Sequence, residues 1–270
     1  MSGRYAARRV RVAAPPDTAR DVILTLLAVA AGCIDAASFL GLGQVLTAAM
    51  TGNTVLLGLA LGQADAQAAL RSTVALAGFF AGSLLGMSIV ERGAGPIWSL
   101  AVAVALAIEL LLLVALAIAW HLGAGHPWVE RQFALIVVAG IAMGLQSAVA
   151  HRAGVAGIAT TYVTGTLTTL AACLIGSLRI PTHRDAPVEE STQIWFPAIV
   201  WLAYGLGATL AGATYRWWAP VAQGLDIAGD IRWSSAALLL PIVIIATAAS
   251  IVVVGIARRS HERSCGRGER

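Results

Sequence analysis

Apolar residues fill this chain in long blocks separated by short polar ones. Eight blocks stand out, at about 22–42, 44–62, 68–90, 97–120, 132–150, 157–178, 195–215 and 235–257. A helix needs ~20 apolar residues to cross the ~30 Å of hydrocarbon in a bilayer. Inside lipid the backbone must satisfy its own polar groups, so each block is predicted to be an α-helix. Trp98, Trp120, Trp128, Trp195, Trp217, Trp218 and Trp233 fall at block ends, as an interfacial belt requires, and only Trp201 lies inside one. The expected fold is all-α, a polytopic helical membrane protein of six to eight spans.

Two blocks break the pattern. The second carries Thr47, Met50, Thr51, Gly52, Asn53 and Thr54 where a plain anchor would carry leucine, and the sixth carries Thr160, Thr161, Tyr162, Thr164, Gly165 and Thr166. An offset of 113 overlays Thr47, Thr51, Gly52, Leu57 and Leu61 on Thr160, Thr164, Gly165, Leu170 and Leu174. Before each lies a block with one polar residue, Asp35 or Gln146. After each lies a block with small residues at every fourth position: Gly78, Gly82 and Gly86 in the first case, Ala203, Gly207 and Ala211 in the second. Such faces let helices approach closely, either within one chain or between copies in a homo-oligomer. The order polar, Thr-Gly, small-residue, plain thus occurs twice, dividing the membrane domain 22–257 into repeats at 22–120 and 132–257. Repeats of this kind are a common plan of transporters.

The direction of the repeat stays open at this level. Eight spans make the repeats parallel; re-entrant Thr-Gly segments leave three spans each and invert them. Both arrangements put the basic lead 1–21, the loop 179–193 and the basic tail 258–270 in the cytoplasm, and 216–233 outside. The inverted one puts Arg92 and Arg152 inside, the parallel one Arg71 and Arg131, so the positive-inside rule does not decide. Segment length favours eight helices, because 44–62 and 157–178 are about long enough to cross.

Composition agrees with a membrane protein: 58% hydrophobic and 12% charged residues, with a mean hydropathy of +0.80. The net charge of +4 comes from arginine alone and sits at the ends and in short loops, which sets topology and argues against nucleic-acid binding. A cleaved signal peptide is not expected, because the basic lead is long and Asp35 falls before the small residues that would be the cleavage site. Cys33, Cys173 and Cys265 show no metal-ligand spacing and no disulfide framework. His121 and His126 share a glycine-rich loop without a third ligand, so no metal is expected, and no cofactor or enzyme motif emerges.

The candidate chemistry therefore lies inside the blocks. Asp35 and Glu109 are carboxyls at membrane depth with no Lys or Arg at a matching depth. Such groups cost roughly 2.5–3.5 kcal/mol to insert and mark ion or proton pathways by default. Burial favours the neutral acid, the form a proton relay must be able to adopt; the plainer role is a hydrogen bond to a neighbouring helix. Thr47, Thr51 and Thr54 would share one helix face, Asn53 adds a donor and an acceptor, and Gly52 weakens the helix. Broken helices bind ions and solutes this way, although interhelical hydrogen bonding uses the same residue types. The candidate pathway is Asp35, Thr51, Gly52, Asn53, Glu109, Gln146, Thr164 and Gly165, with Gly78, Gly82, Gly86 and Gly207 as packing positions.

Four stretches in order, Gly32–Leu40, Met50–Leu56, Met143–Ala148 and Thr160–Thr168, resemble the YoaK-like family, bacterial multi-span membrane proteins of unknown function. The resemblance spans about Val22 to Val254. It implies an inner-membrane location with the bilayer as environment, and no activity. A small-solute or ion transporter, with Asp35 as the candidate group for proton coupling, is the leading expectation; a non-transporting scaffold joined through its glycine faces is the alternative.

Overall fold

The structure is a computed structural model that describes residues 18–93, 98–122, 128–153, 195–223 and 229–265, with 167–168, 170–171 and 174–175. Its elements are α1 (Thr18–Gly41), α2 (Met50–Gly62), α3 (Ala66–Val90), α4 (Leu100–Leu122), α5 (Trp128–Arg152), α6 (Trp195–Gln223) and α7 (Gly229–Cys265). There is no strand among the described residues. Six of these helices are long and apolar enough to cross a membrane. The basic tail continues α7 as helix as far as Cys265, because nothing between Arg258 and Cys265 breaks the backbone pattern. Most of the block 157–178, including Thr164 and Gly165, lies outside the described residues.

The fold centres on α1 and α5, whose spanning windows are 67% buried against 28–39% in the other four spans. Each central helix carries one small-residue helix on its side. On α3, Gly78 approaches Val137 and Gly140, Gly82 approaches Ile141, and Gly86 approaches Leu145 and Ala148 of α5. The numbers rise together, so α3 and α5 run parallel. On α6, Val200 and Ala203 pack on Ala28, and Tyr204 and Ala208 lie against Gly32 of α1, which makes that pair parallel too. The glycine faces are thus used between helices of one chain. Gly205 and Gly212 have nothing within 4 Å of an added Cβ.

Contacts at the helix ends fix the remaining directions. Trp98, just before α4, packs on Gly255 of α7, and Ala19 at the start of α1 borders the same place. Arg152 Nη2 at the end of α5 donates to the Gly93 carbonyl after α3 (2.7 Å). The starts of α1 and α4 therefore share one face with the ends of α3, α5 and α7. On the opposite face Arg131 Nη2 donates to the Trp120 carbonyl (2.5 Å), and Gly43 lies against Arg71 and Gln132. Arg20, Arg92, Arg152, Arg258 and Arg259 gather on the first face; Arg71, Arg131 and Arg216 on the second. Neither Trp98, seated on Gly255, nor Trp120, 1% exposed, is a free belt residue.

The expectation of eight spanning helices fails at α2. With 13 residues it is about 20 Å long at ~1.5 Å per residue, short of the ~30 Å needed. It also starts at the wrong depth to cross. Residues 47–49 are hydrogen-bonded to Asp35, about 9 Å back from the end of α1 at ~1.5 Å per residue. Gly43, by contrast, is level with the first turns of α3. The chain leaves α1, turns back into the bundle over 42–49, and rises along α2 to the face it came from. A tight turn with Ala64 at φ 57° then hands it to α3, capped by Asp65 accepting from the Ala68 N–H (3.0 Å). The reversal begins at Gly43 (φ 80°) and Gln44 (φ 63°), left-handed positions that no helix continues through. Apolar length misled because Val45, Leu46, Ala48 and Ala49 are buried or half-buried coil, and hydropathy scores burial, not conformation.

Candidate functional site

The re-entrant turn is held by one carboxylate. Asp35 Oδ1 accepts from the N–H groups of Thr47 (2.7 Å) and Ala48 (2.6 Å), and Oδ2 from Ala49 (3.0 Å). Tyr204, reaching across from α6, donates its hydroxyl to Oδ2 (2.5 Å). Successive backbone N–H groups at the start of a helix form a concave anion site, strengthened by the helix dipole. Here the anion is the protein's own side chain. Asp35 is 2% exposed, and three of its four donors are amides that can only donate, so the geometry solvates a carboxylate without water.

Asn53 completes the turn. Its Oδ1 accepts from the Leu46 N–H (2.9 Å) and its Nδ2 donates to the Leu46 carbonyl, so one side-chain amide stands in for a backbone partner. Ser38 and Thr47 pair through their hydroxyls (3.2 Å). Two expectations change. Thr47 precedes α2, so Thr47, Thr51 and Thr54 form no stripe: Thr47 is buried against Ser38, Thr51 is exposed, and Thr54 donates to the Met50 carbonyl. Gly52 does not unwind the helix either. It lies in the first turn of α2, where an added Cβ would meet only the Leu46 side chain, and the break is upstream.

The structure does not bring all the candidates together. Gln146 Nε2 donates to the Leu27 carbonyl on α1 (2.8 Å), about 12 Å along that helix from Asp35 at ~1.5 Å per residue. Its Oε1 is buried without a partner among the described residues. Glu109, fully buried in α4, has no hydrogen-bond partner for either oxygen there. Thr164 and Gly165 lie outside the described residues. Tyr204 was missed by sequence reasoning, although a tyrosine amid the apolar residues of α6 needs a partner for its hydroxyl. The amides of 47–49 carry no sequence signal at all. Cys33 donates its thiol to the Gly207 carbonyl (3.1 Å), so it serves the α1–α6 contact.

The DUF1275 family, described as proteins of unknown function, matches residues 23–251. The UPF0700 transmembrane protein YoaK of Bacillus subtilis (strain 168) is 38% identical over 191 residues, covering 71% of this chain and 82% of that protein. No solved structure matches the chain.

Proposed function

We propose that this chain, which belongs to the DUF1275 family of proteins of unknown function, carries a small solute or ion across the membrane it spans. The observation that carries this reading is the re-entrant α2. Non-helical backbone at membrane depth is tolerated where it is enclosed by protein or lines a water-filled path. Transporters place their sites at such interrupted helices, where two inverted repeats meet. The helix directions fit that plan: α1 runs against α5, α3 against α6 and α4 against α7. The packing fits too. Gly82 sits on the Ile141 carbonyl and Gly144 on the Phe79 carbonyl; Gly207 sits on the Val29 carbonyl and Gly32 on the Tyr204 carbonyl. Two reciprocal crossings, α3 with α5 and α6 with α1, are what a twofold relation between inverted halves would give.

Within this proposal the proton-carrying group is Glu109, not Asp35. Asp35 has four donors and a structural task. Glu109 has no hydrogen-bond partner among the described residues, and an isolated carboxylate in an apolar interior is untenable, so it holds a proton whenever the site is closed to ions and water. The scaffold alternative needs glycine faces on the outside, and Gly78, Gly82, Gly86 and Gly207 are taken up inside the chain. Reconstituted into liposomes and screened against a solute panel under a proton gradient, the parent gives proton-linked flux. Glu109→Gln lowers it at least about a hundredfold, in the range of a lost acid–base group, with an unchanged thermal melt. A hydrophobic carbodiimide labels Glu109 in the parent, read by peptide mass spectrometry. Unlabelled Glu109 together with undiminished flux in the variant sinks the assignment.

The arginine-rich face is proposed as the cytoplasmic one, in an inner membrane, by the positive-inside rule. With the native cysteines replaced, Arg92→Cys and His151→Cys then react only from the cytoplasmic side. Gln63→Cys and Arg216→Cys react only from outside. The eight-span arrangement requires the reverse for positions 63 and 92, so these two decide between six spans and eight.

A further inference from the structure

On the arginine-rich face, the start of α1, the approach to α4 and the end of α7 enclose a groove of about 590 Å³. Trp98, Ser250, Ile251, Val254, Arg258 and Arg259 line it. The groove is a built feature. The indole of Trp98 occupies the space beside Gly255, 2.3 Å from where a Cβ would sit, so only glycine admits it. The Arg259 guanidinium lies over that indole, 5.0 Å from the ring centroid. Arg258 is exposed beside it. Below the two cations the wall becomes apolar, Ile251 and Val254, the latter 50% accessible. The hydroxyls of Thr247 and Ser250 donate to the carbonyls of Val243 and Ala246 in their own helix. The charged groups lining the groove are the guanidinium groups of Arg258 and Arg259.

We propose that this groove binds one anionic phospholipid, its phosphate between Arg258 and Arg259 and the start of an acyl chain along Ile251 and Val254. Cationic donors stand at the level of the headgroups, and an apolar wall descends into the hydrocarbon. That order matches a lipid's own division into phosphate and chain. Basic pockets between helix ends recognise anionic headgroups in this way. A free phosphate shares the charge but has no use for the apolar wall, and a zwitterionic lipid shares the chain but brings its own cation to the arginines. The proposal does not depend on whether the protein transports.

The test uses the full-length protein, purified in mild detergent and stripped of lipid, with thermal stability followed as additives are titrated. Phosphatidylglycerol raises the melting midpoint saturably; phosphatidylcholine and inorganic phosphate do not. Combining Arg258→Gln with Arg259→Gln weakens the phosphatidylglycerol response at least about tenfold, whereas Arg216→Gln on the opposite face leaves it intact. Val254→Trp keeps both cations but fills the groove, and it too abolishes saturable binding. An equal response to phosphatidylcholine, an equal response to inorganic phosphate, or full binding by Val254→Trp overturns the proposal.

Discussion

Gly207→Ala and Gly32→Ala each melt well below the parent protein, while Gly205→Ala and Gly212→Ala melt at or slightly above it. All four exchange a hydrogen for a methyl in an apolar helix, so propensity alone predicts a uniform gain of about 1 kcal/mol. Geometry splits them. A Cβ on Gly207 would stand 2.0 Å from the Val29 carbonyl oxygen, and one on Gly32 would stand 2.0 Å from that of Tyr204. The obstacle is backbone in both cases, so no rotamer relieves it and α1 and α6 must separate. Overpacking of this kind costs about 1–3 kcal/mol, and more where the backbone itself must move. Gly205 and Gly212 meet nothing within 4 Å and keep the propensity gain. Melting curves in detergent, with oligomeric state from light scattering, check both the size and the sign. A Gly207→Ala protein that melts like its parent but changes oligomeric state would move this face from the interior to an interface between copies.

The glycine spacing was legible in the sequence because every fourth residue falls on one helix face, and the structure buries that face. Its partner was not legible. Small residues tell a helix how near another may come, not which one comes, and the mates of Gly82 and Gly207 are carbonyls of Ile141 and Val29. Six of the blocks became the six long helices because uninterrupted apolar length reports both burial in lipid and helical closure. At 44–62 the two separate: Val45 and Ala48 are 1% exposed yet lie in coil. The direction of the helices escaped for a different reason. Arg71 and Arg131 oppose Arg92 and Arg152 evenly by number. The contacts of Trp98 with Gly255 and of Arg152 with the Gly93 carbonyl set the second pair on the same face as Arg20, Arg258 and Arg259.

Asp35 was the clearest chemical signal in the chain, and its residue type alone admitted two opposite roles. A relay must gain and lose a proton; a clamp must stay an acceptor. The contacts of Asp35 are those a clamp needs, and that role has consequences no relay shares. Asp35→Ala strands three amides and the Tyr204 hydroxyl at a buried to half-buried turn. At roughly 1–3 kcal/mol for each buried donor left unsatisfied, the loss approaches the whole stability of a domain, and the protein does not accumulate. Asp35→Asn keeps one acceptor oxygen but turns an NH2 toward a donor; the Tyr204 hydroxyl can rotate to accept it, whereas the Ala49 N–H cannot. The expected loss is about 2 kcal/mol. Tyr204→Phe removes one donor from a carboxylate that keeps three, at about 1.5 kcal/mol. Melting midpoints should therefore fall in the order Tyr204→Phe, Asp35→Asn, Asp35→Ala. The turn should loosen in the same order, seen as faster thiol labelling of a cysteine placed at Thr51. A relay gives a different pattern, with Asp35→Asn melting like the parent and failing only in proton-linked flux. That result would return Asp35 to the pathway and leave α2 without its anchor.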